Sequence, residues 1–340
     1  MSDVYISSKT DTIGDYAFYA CMGLKQANIP DTVKHINNNA FTACLNLESV
    51  TLPESITSIS GDTFYYCQSL TDVNIKGNVH TIGFGAFAEC HAMESFDIPD
   101  SVTYIGSKAF EGDSFIEIDN GIHYVDNWAV SCEENISDIS VREGTVGISE
   151  WAFMFRNDCT SLYIPDSVTY VGDLFYSNTR GKVNVIDYYA PYINERTLVG
   201  AKTTSDIFIY DSECDIFDSE KTIPATYRYT PEDADIIWVD GIGSEKEVEG
   251  NTVIHGYIGS TAQEYADKYG REFIPIDKLQ GDLNGDGKFN VADVLTFQKY
   301  LMNGDSDSIK PGFSETADLC KDGKLNVFDM IAMRDLLASK

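Results

Sequence analysis

The chain has 340 residues, 43% of them hydrophobic and 23% charged, and a formal net charge of −30. This apolar content suits two folded domains, or one solenoid with a small module, and excludes disorder along the whole length. Residues 281–340 carry a net of −3 and the remainder −27, a field that repels nucleic acid and anionic membranes and favours cations; no apolar run approaches the roughly 18–20 residues that span a bilayer.

Met1-Ser2-Asp3 leads straight into polar, repeat-like sequence. The start therefore reads as a mature or recombinant N-terminus from which any export signal has been removed.

A period of 23 residues then dominates. Ile13, Ile36, Ile59, Ile82 and Ile105 keep it, as do Phe18, Phe41, Phe64, Phe87 and Phe110, and Cys21, Cys44, Cys67 and Cys90. Each unit reads as one turn of a solenoid, which cannot bury its apolar residues alone and stacks them on the next turn. Leu-x-x-Val-x-Ile carries a short strand, and Ala-Phe-x-x-Cys is the return segment, expected as a short helical turn. Cysteines that occur once per turn, with no His or second Cys beside them, read as small buried hydrophobes rather than as a metal or disulfide set.

The outward strand positions (Lys25, Gln26 and Asn28; Glu48, Ser49 and Thr51; Thr71, Asp72 and Asn74; Glu94, Ser95 and Asp97) are read as small, polar and acidic. That strip is either solvated or a protein-recognition surface, and it offers no aromatic platform for sugars before Tyr163.

The register breaks after Ile105 and returns at Ile148, an interval of 43 residues. The inserted Asp119–Cys132 stretch alternates around Asp126-Asn127, which predicts a β-hairpin over about 116–135. Residues 178–250 are irregular, with Ile207-Phe208-Ile209 and Ile216 as strand positions of degenerate turns. Residues 252–276 read as strand, helix and strand with Ser260 as N-cap, the polar cap that a solenoid end requires.

The sharpest local signal follows. Asp282, Asn284, Asp286, Lys288 (through its carbonyl), Asn290 and Asp293 stand at positions 1, 3, 5, 7, 9 and 12 of a loop that turns at Gly287. This spacing wraps oxygen ligands around a hard cation such as Ca2+. The pattern recurs 36 residues later as Asp318, Cys320, Asp322, Lys324, Asn326 and Asp329, with Gly323 at the turn. Thiol sulfur is a poor ligand for a hard cation, so Cys320 predicts a weaker second site or a water in its place. An amphipathic helix follows each loop, and position 12 is Asp where an ordinary EF-hand has Glu.

The repeat unit, as IGDYAFYACMGLKQANIPDTV and IGFGAFAECHAMESFDIPDSV, resembles the bacterial surface-antigen (BspA-like) type of leucine-rich repeat. The paired loops resemble a type I dockerin. The fold class implied is α+β: a leucine-rich-repeat solenoid over 1–277 and a small all-α calcium-binding dockerin over 281–340. The dockerin resemblance implies two Ca2+ sites and a cohesin module of a cellulosome scaffoldin as partner. It places the contacts at Val291, Ala292, Leu295, Gln298 and Lys299, and at Val327, Phe328, Ile331, Arg334 and Asp335. Ala292 against Phe328 and Lys299 against Asp335 favour one binding orientation over two, and Leu295 and Ile331 can equally be read as the module's own core.

The expectation is a secreted, extracellular and non-catalytic protein, associated with a cellulosome or cell surface, whose repeats recognise an unknown protein or surface ligand. It neither binds nucleic acid nor inserts into a membrane. Two alternatives stand beside it. One is a glycoside hydrolase with its site in residues 178–250, which would need two carboxylates at fixed separation. The other is a regulatory ligand of proteases or hosts. No Gly-x-Ser-x-Gly elbow, phosphate loop or His-Glu-x-x-His occurs, and the five histidines are scattered.

Overall fold

The computed structural model describes residues 3–153, 159–174, 183–198, 204–223, 252–303, 309–310 and 313–338, with the backbone of four short strands at 226–227, 237–239, 242–244 and 249–250. The repeat folds as the period requires. Strands Asp3–Tyr5, Gln26–Asn28, Ser49–Leu52 and Asp72–Ile75 form a parallel sheet. Its register, Ala27 opposite Val50 opposite Val73, is the 23-residue interval itself. A second row of two-residue strands aligns Ile13 with Ile36, and Ile59 with Ile82 and Ile105.

Between these rows the apolar side chains stack into ladders. Phe18, Phe41, Phe64, Phe87 and Phe110 lie ring on ring with centroids 5.0–5.7 Å apart. Cys44, Cys67 and Cys90 are fully buried, and each thiol donates to the carbonyl of a Phe one turn back at 3.1–3.2 Å. None of the eight cysteines forms a disulfide. Burial pushes the Cys44 thiol up to about 12, so these sulfurs remain protonated packing groups.

The return segments are not helical. Tyr16, Phe18 and Ala20 donate their backbone N–H groups to the next turn, at Asn38, Ala40 and Thr42, over 3.2, 2.8 and 2.8 Å. Ala17, Tyr19 and Cys21 bond within their own turn, to Gly14, Tyr16 and Phe18. Donors committed to the neighbouring turn cannot close an α-helix. The backbone alternates accordingly: Tyr16, Asn39, Asp62, Gly85 and Lys108 have φ of 53–60°, and so do Ala20, Ala43, Tyr66 and Glu89 at 55–63°. The row of three donors recurs from Asn39, Phe41 and Ala43, from Asp62, Phe64 and Tyr66, and from Gly85, Phe87 and Glu89.

After Ile105 the chain forms three antiparallel strands, Glu117–Asp119, Ile122–Val125 and Trp128–Cys132. The last of them pairs in parallel with Gly147–Ile148, which pairs with Tyr170–Val171, so the insertion's final strand is also a rung of the solenoid.

The chain divides into two compact units. One comprises residues 1–183, 194–202 and 221–224; the other comprises 184–193, 203–220 and 225–340. In the second unit, strands Val185–Tyr188, Asp206–Ile209, Val253–Gly256 and Phe273–Pro275 lie parallel in that order. Val185 pairs with Asp206 at an interval of 21, which is why the 23-residue pattern is lost here. Helix α1 (Thr261–Tyr269) is capped by Ser260, whose side chain accepts from the N–H of Gln263, and ends on left-handed Gly270. It buries Ala262, Tyr265 and Ala266. Of the 178–250 stretch considered above for a hydrolase site, residues 178–182, 199–203 and most of 224–250 lie outside the described residues.

Helices α2 (Val291–Asn303), α3 (Ser314–Ala317) and α4 (Val327–Ala338) follow in the same unit. Leu283, Phe289, Phe297, Ile309, Phe313, Ala317 and Met333 form their core together with Tyr257 of the cap. Among the described residues no helix is long and apolar enough to cross a membrane.

Candidate metal centre and docking face

The two loops share several bonds at equivalent positions. Asp282 Oδ2 accepts the N–H of Gly287 at 2.9 Å, and Asp318 Oδ2 that of Gly323 at 2.8 Å. Asp286 Oδ1 accepts from Lys288 at 2.8 Å, and Asp322 Oδ1 from Lys324 at 2.9 Å. At each helix start an Asn closes the loop: Asn290 Oδ1 accepts from Ala292 at 2.7 Å, and Asn326 Oδ1 from Phe328 at 2.8 Å. These are N-cap bonds, which start the helix where the loop ends. Asp293 and Asp329 sit in the first helical turn, where the macrodipole favours an anion. Each reaches back across its loop, Asp293 to the N–H groups of Leu283 and Asn290, and Asp329 to those of Cys320 and Asn326.

One carboxylate oxygen each from Asp318, Asp322 and Asp329 can be chosen so that all lie within 4.8 Å of one another. In the first loop Asp282 and Asp293 are fully buried. Burial, with the charges of Asp286 and Asp293 nearby, pushes the Asp282 carboxyl up to about 7. A buried carboxylate among others is costly without a counter-charge, and the oxygen donors at each loop fit a hard divalent cation. When bound, that cation supplies the positive charge the clustered carboxylates lack. Asn284, Asp286, Lys288 and Asn290 stand in the first loop at the spacing read from the sequence.

The second loop departs at two places. Cys320 is exposed, and desolvation followed by its bond to Asp329 pushes the thiol up; a protonated sulfur is a poor partner for a hard cation. Lys321 holds a φ of 55° where the first loop has Gly285 at 71°, so a side chain occupies a conformation that costs it energy and brings a positive charge beside the loop.

The ten positions proposed for partner contact are all exposed. Val291 is 60% exposed, Leu295 52%, Val327 52%, Phe328 66% and Ile331 50%. Leu295 and Ile331 therefore do not belong to the module's core, which is filled instead by Phe297 and Met333 on the opposite faces of the same helices. Met302, at 74%, extends the apolar surface.

Sequence reasoning missed what supports the first loop. Tyr189 and Tyr210 stack at 4.1 Å, and the Lys288 ammonium lies 4.9 Å over the Tyr189 ring. Lys310 forms an ion pair with Asp211 at 2.9 Å, and Tyr257 meets Phe313 edge-on at 5.1 Å. The closing solenoid turns thus carry the first loop. Only the aromatic residues that follow strands Val185–Tyr188 and Asp206–Ile209 could have hinted at it.

Residues 1–117 and 86–195 match the model of the BspA type leucine rich repeat region, in six copies. The chain belongs to this family. Residues 280–337 match the dockerin type I domain, a calcium-binding module that docks on cohesins; neither matched region is a catalytic domain. Among solved structures, this BspA-type protein is similar to a leucine rich cell surface protein of Faecalibacterium prausnitzii (20% identity, 81% of this chain and 79% of that one, TM-score 0.37). It is also similar to a leucine-rich repeat protein of Bacteroides ovatus (20% identity, 63% and 62%, TM-score 0.31) and to the pneumococcal vaccine antigen PcpA (12% identity, 81% and 83%, TM-score 0.29). No curated protein matches the chain.

Proposed function

We propose that this chain is a secreted, non-catalytic cellulosome component. Its dockerin, loaded with Ca2+ at both loops, binds a cohesin of a scaffoldin and so places the leucine-rich repeats where they recognise another protein, or a cell or plant-wall surface. Asp282, Asn284, Asp286, the Lys288 carbonyl, Asn290 and Asp293 hold the first ion; Asp318, Asp322, the Lys324 carbonyl, Asn326 and Asp329 hold the second, more weakly because of Cys320.

The observation that carries this reading is the row of apolar side chains left in solvent on α2 and α4. Val291, Leu295, Val327, Phe328 and Ile331 are each at least half exposed, in a module whose core is already complete without them. An exposed apolar patch rimmed by polar residues (Gln298, Lys299, Arg334, Asp335) is the anatomy of a partner interface. Since Phe328 stands where the first repeat has Ala292, and Asp335 where it has Lys299, the two helices present different faces and one orientation is preferred.

The test is binding of the intact chain to a panel of cohesin modules, comparing wild type with Leu295→Asp and Ile331→Asp. Binding to at least one cohesin that these variants abolish, with calcium uptake intact, supports the reading. A cohesin that binds wild type and both variants equally would show that another face docks.

A further inference from the structure

The return-segment ladder stops at the fifth turn. Gly85, Phe87 and Glu89 donate to the carbonyls of Ser107, Ala109 and Glu111 at 3.2, 2.8 and 2.8 Å, as their counterparts do in three earlier turns. Lys108, Phe110 and Gly112 are next in the row. Their backbone keeps the same form, with φ of 60° at Lys108 and 84° at Gly112, so these N–H groups point toward where a sixth return segment would lie. Among the described residues, none of them makes the bond to a following turn that its counterparts make. The chain has left the solenoid there to form the three antiparallel strands, and the ladder resumes only at Trp151 and Phe153, which donate to Asp173 and Leu174.

The space left by the missing segment is a cavity of about 1020 Å³, lined by residues 107–114 on one side, Trp151 and Ala152 on another, and residues 130–134 at the end of the third antiparallel strand and just beyond it. Its wall contains a residue that breaks the repeat. Asp113 stands at the register of Cys21, Cys44, Cys67 and Cys90. Its Oδ1 accepts the N–H of Cys90 at 2.7 Å, whereas its Oδ2 is buried and has no partner. The side chain is only 7% exposed, and a buried carboxylate oxygen without a donor is a costly arrangement that a cationic ligand group relieves. Glu111, Glu133 and Glu134 add negative charge to the rim.

We propose that this cavity is a binding slot for a peptide segment bearing a basic side chain. The peptide takes the place of the missing return segment: three of its carbonyls accept from Lys108, Phe110 and Gly112, and its Lys or Arg reaches Asp113 Oδ2. Backbone donors give affinity, as when a strand adds to an open edge, and the buried carboxylate gives selectivity. This names a partner class for the protein recognition proposed for the repeats, on which it rests, and it does not depend on the dockerin.

The natural probe copies the repeat itself: a synthetic peptide of residues 13–23 carrying Cys21→Lys, so that the lysine stands at the register beside Asp113. Its controls carry Cys21→Glu or Cys21→Ala. Binding to the full chain is measured by hydrogen exchange at the amides of Lys108, Phe110 and Gly112 and by fluorescence titration. The lysine peptide slows exchange at these three amides and binds at least about tenfold more tightly than the glutamate peptide. Asp113→Cys, which restores the residue of the four preceding turns and is compatible with the fold, removes that preference. Three results overturn the slot: no slowing at these amides under saturating lysine peptide, equal binding of the lysine and glutamate peptides, or a preference for lysine that survives in Asp113→Cys. The last leaves protein recognition standing elsewhere on the repeats, and unchanged cohesin binding by the same variant shows that the dockerin is untouched.

Discussion

Gly287 lies against the ring of Tyr210 so closely that a Cβ built on it would come within 2.7 Å of Tyr210 Cδ1 and 3.0 Å of Tyr189 Cε1. Its counterpart Gly323 meets nothing within 4 Å, although both hold nearly the same left-handed φ, 76° and 75°. Alanine at either position incurs the conformational cost of about 1 kcal/mol. Only Gly287→Ala adds the cost of overpacking, about 1–3 kcal/mol. Urea unfolding in calcium should therefore rank Gly287→Ala well below Gly323→Ala in stability; equal losses would mean that the first loop does not depend on the tyrosine pair.

The Lys310–Asp211 pair joins residues 99 apart in sequence, and both side chains are less than a quarter exposed. Asp211→Asn keeps an acceptor for the Glu213 N–H bonded at 3.0 Å but leaves Lys310 without its counter-charge. A partly buried pair broken on one side loses about 1–2 kcal/mol, between the exposed and buried limits. Thermal unfolding of the intact chain should show this, with the first loop releasing calcium at a higher free-calcium level than in wild type.

Phe328 is the largest apolar side chain offered by the ten candidate contacts, and it is 66% exposed. Aromatic anchors dominate interface energetics, and truncating one costs about 2 kcal/mol or more. Phe328→Ala should weaken cohesin binding roughly 30-fold while leaving the calcium isotherm unchanged, because the side chain lies outside the core. Val291→Ala should cost much less.

Asp113 sets a pH dependence. Burial, with Glu89 nearby, holds its carboxyl up to about 7 against the ordinary 3.8. The folded protein thus keeps this proton more tightly than the unfolded chain does, so the group's contribution is fully present below about pH 4 and is lost as pH rises toward 7. A shift of this size corresponds to about 4 kcal/mol at most. The difference in unfolding free energy between Asp113→Cys and wild type, followed by tryptophan fluorescence, should grow in favour of the variant from pH 4 to 7 and then level off. A difference independent of pH would refute the shifted carboxyl.

The solenoid and the two loops were legible because their signals are local and repeated: Phe, Ile and Cys at one spacing, and Asp and Gly at another. The form of the return segment was not, since its left-handed positions are filled by Tyr16, Asn39, Asp62, Gly85 and Lys108, which share no side-chain signature. Asp113 escaped notice because it falls where the periodic pattern was breaking down. The support given to the first loop by Tyr189, Tyr210 and Asp211 was also hidden, because contacts across some 100 residues leave no spacing to read. Leu295 and Ile331 were ambiguous in sequence, as an apolar residue on an amphipathic helix can face the core or solvent; the structure leaves both exposed and fills the core with Phe297 and Met333.

The central claim is calcium-dependent docking, and calorimetric titration of the intact chain with type I cohesins, in calcium and then in EDTA, tests it most directly. Saturable binding to a cohesin in calcium, absent in EDTA and in the Asp282→Ala, Asp318→Ala double variant, is the predicted result. Cohesin binding that persists unchanged in EDTA, or no binding to any cohesin in calcium, would contradict it.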